Sequence, residues 1–179
     1  MKKILLIGGN GLVGKAIHNA LQSGYQMVIT AGHHDPEGGY RLEVKDTEKL
    51  LHILNKENPD IVVSSIGGNF EEQMKFHEEL ADWLAGKEKR LLYISTVNVF
   101  DGDLSKPCTE EDLPVPGTDY GKFKKACEEM LKERLAGQLS IFRLSPEYDI
   151  EVSEGPEFQA VIPGRKEIPE NLQLTVSQI

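Results

Sequence analysis

Lys3-Ile4-Leu5-Leu6-Ile7 runs straight into Gly8-Gly9-Asn10-Gly11-Leu12-Val13-Gly14, and few folds accept such a junction. A short apolar run halted by glycines and followed by helical spacing (Leu12, Val13, Ala16, Ile17, Ala20, Leu21) reads as strand, tight turn and helix start. In an α/β protein that junction is where a dinucleotide pyrophosphate is held. Gly8 takes turn dihedrals closed to other residues, Gly11 lets phosphates approach the backbone, and Gly14 lets the helix lie close on the strand. The first free N–H groups of the helix then face the anion. Asn10, Leu12 and Val13 complete the expected cradle. A Gly-x-x-Gly-x-x-Gly string alone marks many turns; its place between strand and amphipathic helix gives it weight.

The rest of the chain repeats the alternation. Gln26-Met27-Val28-Ile29-Thr30 predicts a second strand, and residues 32–39 a loop around His33-His34-Asp35-Pro36. Arg41-Leu42-Glu43-Val44 reads as a short extended piece, and Asp46 or Thr47 as the cap of a helix marked by Leu50, Leu51 and Leu54. Residues 60–66 predict a third buried strand. Residues 70–84 predict a helix with Met74, His77, Leu80, Ala81 and Leu84 along one side. Residues 90–94 predict a fourth strand ending at Ser95-Thr96. After a proline- and acid-rich loop over 101–118, residues 120–135 predict a helix with Phe123, Ala126, Met130 and Leu131 inward, and residues 139–144 a fifth strand. Apolar strands alternating with helices imply an α/β fold, a doubly wound parallel sheet covered on both faces, as a single domain over residues 1–146. From 147 to 179 the pattern dissolves into an irregular C-terminal extension, with short extended pieces at 158–162 and 172–176. It is too short for an independent domain.

Composition narrows the function. A net charge of −9 argues against nucleic acid or an anionic membrane as partner. Cys108 and Cys127 suit a reducing compartment and lack metal-ligand spacing. No segment approaches membrane-spanning length, and the apolar run after Met1-Lys2-Lys3 is too short for a leader. The expectation is a cytoplasmic protein with a small-molecule substrate and no metal.

Tyr120 and Lys124 are four residues apart at the start of a helix, which stacks them on one face. An adjacent ammonium lowers a phenol's pKa toward working pH, and such a tyrosine exchanges a proton with a carbinol oxygen. Thr96 or Ser95, at the carboxyl end of the fourth strand, supplies a hydroxyl to hold that oxygen. Together they would serve hydride transfer beside a nicotinamide. His77 reads as a core histidine, Trp83 as a packing residue and Cys127 as buried against the sheet.

Tyr93-Ile94-Ser95-Thr96-Val97-Asn98-Val99-Phe100-Asp101-Gly102, Thr109-Glu110-Glu111-Asp112 and Asp119-Tyr120-Gly121-Lys122-Phe123-Lys124 resemble the extended short-chain dehydrogenase/reductases, whose fold is Rossmann-like. The nearest branch is that of dTDP-4-dehydrorhamnose reductase and the related regulatory β subunit of methionine adenosyltransferase. The resemblance implies that Thr96, Tyr120 and Lys124 form the catalytic set, with Lys124 also on the nicotinamide ribose. It implies the pyrophosphate on Gly8, Gly11 and Gly14, and Glu43-Val44 against adenine. Ser65-Ile66-Gly67-Gly68 replaces the family's Asn-Ala-Ala-like string, so Ser65, Ile66 and Gly67 alter the cofactor contacts there. Val97-Asn98 replaces the usual acidic and aromatic pair, which sets a sugar nucleotide in question. The chain also ends where the family continues into a substrate lobe, so 147–179 reads as a shortened lobe. Relatives often pair through the helices corresponding to 70–84 and 120–135, which raises a homodimer.

NAD-selective sites place a carboxylate at the end of the second strand. Here that strand runs into His33 and His34, with no acid before Asp35 and no arginine. Two imidazoles able to donate to a 2′-phosphate favour NADP over NAD. Adjacent loop histidines make a poor metal site. The alternative to an oxidoreductase is a regulatory protein holding NADP without turnover.

Overall fold

The computed structural model describes residues 1–33, 36–103, 109 and 112–144. Within them the expected alternation is present. The strands are β1 (Lys3–Ile7), β2 (Gln26–Ala31), β3 (Tyr40–Arg41), β4 (Ile61–Ser64), β5 (Arg90–Thr96) and β6 (Leu139–Leu144). The helices are α1 (Leu12–Leu21), α2 (Thr47–Glu57), α3 (Phe70–Leu84) and α4 (Asp119–Arg134). All strands are parallel, in the order β3-β2-β1-β4-β5-β6. The expected tail strands at 158–162 and 172–176 lie outside the described residues, as do Cys108 and His34.

β1 organises the sheet because every residue from Ile4 to Ile7 is almost wholly buried. Leu5 and Ile7 face one core with α2, α3 and α4; Ile4 and Leu6 face the other with Leu21, Ile17 and Ala20 of α1. The connection from β1 to β2 runs one way across the sheet, and those from β3 to β4, β4 to β5 and β5 to β6 run the other. Consecutive right-handed crossovers in opposite directions fall on opposite faces, which is why α1 has one face to itself. The reversal lies between β1 and β4, and ligands of open α/β sheets bind at such a switch point.

Several boundaries differ from the sequence reading for local reasons. β4 stops at Ser64 because the Ser65 hydroxyl turns back onto the Ile7 and Gly8 carbonyls, at 3.1 and 3.3 Å. β5 continues to Thr96 because β6 accompanies it to the end, with Thr96 opposite Leu144. The piece after the His33 loop pairs over only Tyr40–Arg41, then turns through an Asp46 N–H to Glu43 carbonyl bond. In α4 the buried stripe is Phe123, Lys124, Cys127, Glu128 and Leu131, and Ala126 is exposed. A hydropathy pattern turns Lys124 and Glu128 outward; the fold buries them.

The two-sided burial of β1 has a measurable consequence. Leu5→Ala and Leu6→Ala should each cost about 2–5 kcal/mol in denaturant unfolding, through separate cores. Leu12→Ala, at a side chain 72% exposed, should change stability by less than about 0.5 kcal/mol.

Candidate active site

The turn after β1 is built by close backbone approach. A Cβ on Gly14 would meet the Gly8 carbonyl and lie 2.7 Å from Gly9 Cα, so only glycine lets α1 start this close to β1. Gly8 has φ +85°, and a Cβ there would lie 2.6 Å from the Ser65 carbonyl oxygen. Ser65 thus supports the glycine turn from β4, its hydroxyl engaged with backbone. The caps of the helices differ in a telling way. α3 is capped by the Asn69 side chain and α4 by Thr118; α2 begins at the expected Asp46, whose side chain makes no cap bond, but carries Glu48 in its first turn. α1 starts at Gly11 with no side-chain cap and no acid in its first turn. Its N–H groups and the positive end of its dipole are left for an anion at the switch point. The cradle fits a pyrophosphate: Asn10 and Leu12 are exposed beside it, Val13 is half-buried, and across the reversal a Cβ on Gly67 would meet nothing within 4 Å. Ile66 packs against the core.

At the edge beyond β2, His33 is exposed, and the sheet supplies what the sequence hid. Arg41 of β3 lies in register with Ala31, so an arginine does flank the end of β2. Its guanidinium pairs with Glu43 at 2.8 Å, and Lys45 takes the other Glu43 oxygen at 3.0 Å. Hydrogen bonds from Lys45 and then Arg41 hold the Glu43 carboxyl below its ordinary pKa. Val44 is half-buried against the core.

The carboxyl end of β5 holds the second constellation. Lys124 is 3% exposed; its Nζ donates to the Ile94 carbonyl at 3.0 Å and to Tyr93 Oη at 3.2 Å. Burial pulls this ammonium down to about 8, with Cys127 and Glu128 opposing the shift. Tyr120 is 42% exposed and faces Phe70, whose ring stacks on Phe123 at 4.5 Å. Nζ of Lys124 lies 6.0 Å from the Tyr120 ring centre. Partial burial alone moves the Tyr120 phenol, and it moves it up. That corrects the expectation from spacing: Lys124 is turned toward β5 and does not lower Tyr120 here.

Thr96 is 4% exposed and caps the 3-10 turn Val97–Phe100. The Asn98 amide nitrogen donates to Asp101 Oδ2 at 3.4 Å, so the Asn98 oxygen faces Thr96 and accepts its hydroxyl at 2.8 Å. Asp101 also accepts the Thr118 hydroxyl at 2.6 Å and the Gly117 and Thr118 N–H groups. The Thr118 hydroxyl is the chief reason the Asp101 carboxyl titrates low. Thr118 in turn caps α4 at Gly121. One polar chain therefore runs from Thr96 through Asn98, Asp101 and Thr118 to the helix that carries Tyr120.

Ser95, offered with Thr96 as a hydroxyl for the substrate oxygen, points elsewhere: its hydroxyl donates to Glu128 Oε1 at 2.6 Å. Glu128 is fully buried and also takes two bonds from Arg143, at 2.6 and 3.0 Å. Tyr93, Asn98, Asp101, Glu128 and Arg143 were missed from sequence. The one available signal was Glu128, a full turn beyond Lys124. His77 is the core histidine expected. Its Nδ1 donates to the Gln73 carbonyl at 2.7 Å, and its Nε2 accepts the Ser64 hydroxyl at 2.8 Å. Trp83 packs with its N–H on Asn55, and Cys127 is buried beside Met74. Among the described residues no His, Cys, Asp or Glu group is arranged to hold a metal ion, and no helix is long and apolar enough to cross a membrane.

Comparison with known proteins agrees with this architecture. The chain belongs to the RmlD substrate binding domain family, which matches residues 69–179. It is 27% identical to methionine adenosyltransferase 2 subunit beta of Rattus norvegicus over 149 residues, 76% of this chain and 44% of that protein. It is 27% identical to the spore coat polysaccharide biosynthesis protein SpsK of Bacillus subtilis, over 74% of this chain and 49% of that protein. The chain thus spans about half the length of the curated relatives it matches. Among solved structures, a hypothetical dTDP-4-dehydrorhamnose reductase from Sulfolobus tokodaii superposes with TM-score 0.70 at 22% identity, over 80% of this chain and 55% of that one. WbmG of Bordetella bronchiseptica in complex with NAD gives TM-score 0.67 at 20% identity, over 79% and 52%. These structures share the Rossmann-like fold.

The buried histidine makes its own prediction. Burial brings His77 down to about 4, against about 6.5 unfolded. Between those values the unfolded chain holds the extra proton, so stability is full above pH 6.5 and falls as pH drops toward 4. His77→Gln should flatten urea-derived stability across that window relative to wild type, by up to roughly 3 kcal/mol.

Proposed function

We propose that this chain binds a nicotinamide dinucleotide, NADP in preference to NAD, and is an oxidoreductase for a small carbonyl or alcohol of sugar-like character. The observation that carries the reading is the uncapped, acid-free start of α1 behind Gly8 and Gly14, opening at the strand-order reversal. Its family and its fold neighbours, one of them holding NAD, support the same reading. Arg41 in register with Ala31, and His33 at the end of β2, support the phosphorylated cofactor.

A bound nicotinamide would supply or accept the hydride. The residues of this chain handle the proton and the positions. Tyr120, kept above its ordinary pKa, is protonated at neutral pH and so donates to an oxygen gaining charge. Lys124 is largely cationic at neutral pH and offers its ammonium to ribose hydroxyls at the end of β5. Thr96 would orient the substrate oxygen by turning toward it the hydroxyl that here donates to the Asn98 oxygen.

A second reading, binding without turnover, is favoured by that same Thr96–Asn98 bond. It engages the donor a substrate oxygen would need. The subunit of an adenosyltransferase among the relatives is consistent with it.

Calorimetry with NADPH, NADP, NADH and NAD is the first test, and absence of heat with all four would end both readings. Gly14→Ala should abolish the binding seen. Affinity should hold below pH 7 and fall as pH rises through about 8, where Lys124 loses its proton; Lys124→Met should bind weakly without that dependence. Tyr120→Phe should abolish NADPH oxidation with a carbonyl panel and keep NADPH affinity within a few-fold. Turnover that survives the change removes Tyr120 from the mechanism. Tight binding with no turnover across the panel favours the second reading.

A further inference from the structure

Glu128 has a carboxylate fully buried on α4, one turn beyond Lys124 and two beyond Tyr120. Burying a charge is costly unless every lone pair is answered. Here Ser95 of β5 donates at 2.6 Å, and the Arg143 guanidinium of β6 donates through two nitrogens at 3.0 and 2.6 Å. Lys132 adds its ammonium at 3.7 Å. The Arg143 guanidinium in turn lies over the Phe100 ring at 4.9 Å, in the turn capped by Thr96. One carboxylate therefore joins α4, β5, β6 and that turn.

The residues it joins flank the site without belonging to it. Ser95 stands between Ile94, whose carbonyl holds Lys124, and Thr96. We propose that Glu128 is the positioning residue of this site: it ties the strand end bearing Ile94 and Thr96 to α4 and so fixes where Lys124 meets a bound nucleotide. The proposal rests on the nucleotide reading above. It also gives Glu128 a reason to be a carboxylate. Lys124 is faced by Tyr93 from β5, by His77 from α3, and by Tyr120, Cys127 and Glu128 on α4. His77 is neutral near pH 7, and burial keeps Tyr93 and Cys127 protonated, which leaves Glu128 as the anion in that group.

The test uses the whole chain. In Glu128→Gln, a titration of the Lys124 13Cε resonance, assigned with Lys124→Arg, should show the midpoint moved down by roughly one pH unit. NADPH affinity by calorimetry should fall roughly tenfold or more at pH 8 and less at pH 6.5. A variant with both Glu128→Met and Arg143→Met replaces the pair by apolar side chains of similar size. It should melt within about 5 °C of wild type, yet bind NADPH roughly tenfold more weakly. Weak binding in a stable double variant separates positioning from mere support of the fold. An unmoved Lys124 titration in Glu128→Gln overturns the proposal, as does wild-type affinity in the double variant. If wild type binds no nicotinamide nucleotide, the reading of function fails by itself. The Lys124 titration, read without ligand, then still decides whether Glu128 governs the ammonium.

Discussion

A strand buried on both faces has to sit in the middle of something, and β1 dictates the rest of this architecture. Its alternate side chains enter two cores that share no residue, so helices are required on both sides. Once β2 pairs on one side and β4 on the other, the loops following β1 and β4 are brought together at the carboxyl end of the sheet. The Gly8–Ser65 contact is the physical expression of that: two loops from opposite sides of the reversal meet backbone to backbone, and the Ser65 hydroxyl ties them by donating to the Gly8 carbonyl.

The second constellation is held by polar groups, and it follows a different logic. Lys124 and Glu128 lie in the interior face of α4, where apolar side chains would cost less to bury. They are tolerated because each meets fixed partners: backbone and phenol oxygens for the ammonium, a hydroxyl and a guanidinium for the carboxylate. Such groups specify geometry more sharply than hydrocarbon does, since a hydrogen bond has a length and a direction. The run from Thr96 to Thr118 extends the same principle to the surface, linking strand end and helix start through three side chains and a cap.

Much of the fold was legible because it rests on periodicity. Apolar strands, glycine stops and the helices over 70–84 and 120–135 are local signals, and they survive in the structure with shifts of a residue or two. What escaped was whatever depended on pairing across distance. Arg41 comes beside Ala31 only through the sheet, since a whole loop separates the two along the chain. Ser95 reads as a ligand hydroxyl until Glu128 is brought beneath it, and Glu128 reads as solvated until Arg143 arrives from β6. The spacing of Tyr120 and Lys124 correctly puts them on one helix, but it does not say which neighbour the ammonium prefers. The Ile94 carbonyl decides that.

The parallel pairing of β1 with β4 also bears on how the chain is made. Ile4 finds its partner in Ile61, so a nascent chain carries its most apolar strand half-paired until α2 and β4 have left the ribosome. Synthesis at about 5–20 residues per second leaves that edge open for several seconds. During that interval β2 can shield only one side, and the other is an adhesive seam for any passing strand. The open edge is thus confined to one defined interval of translation, the stretch between emergence of β1 and emergence of β4.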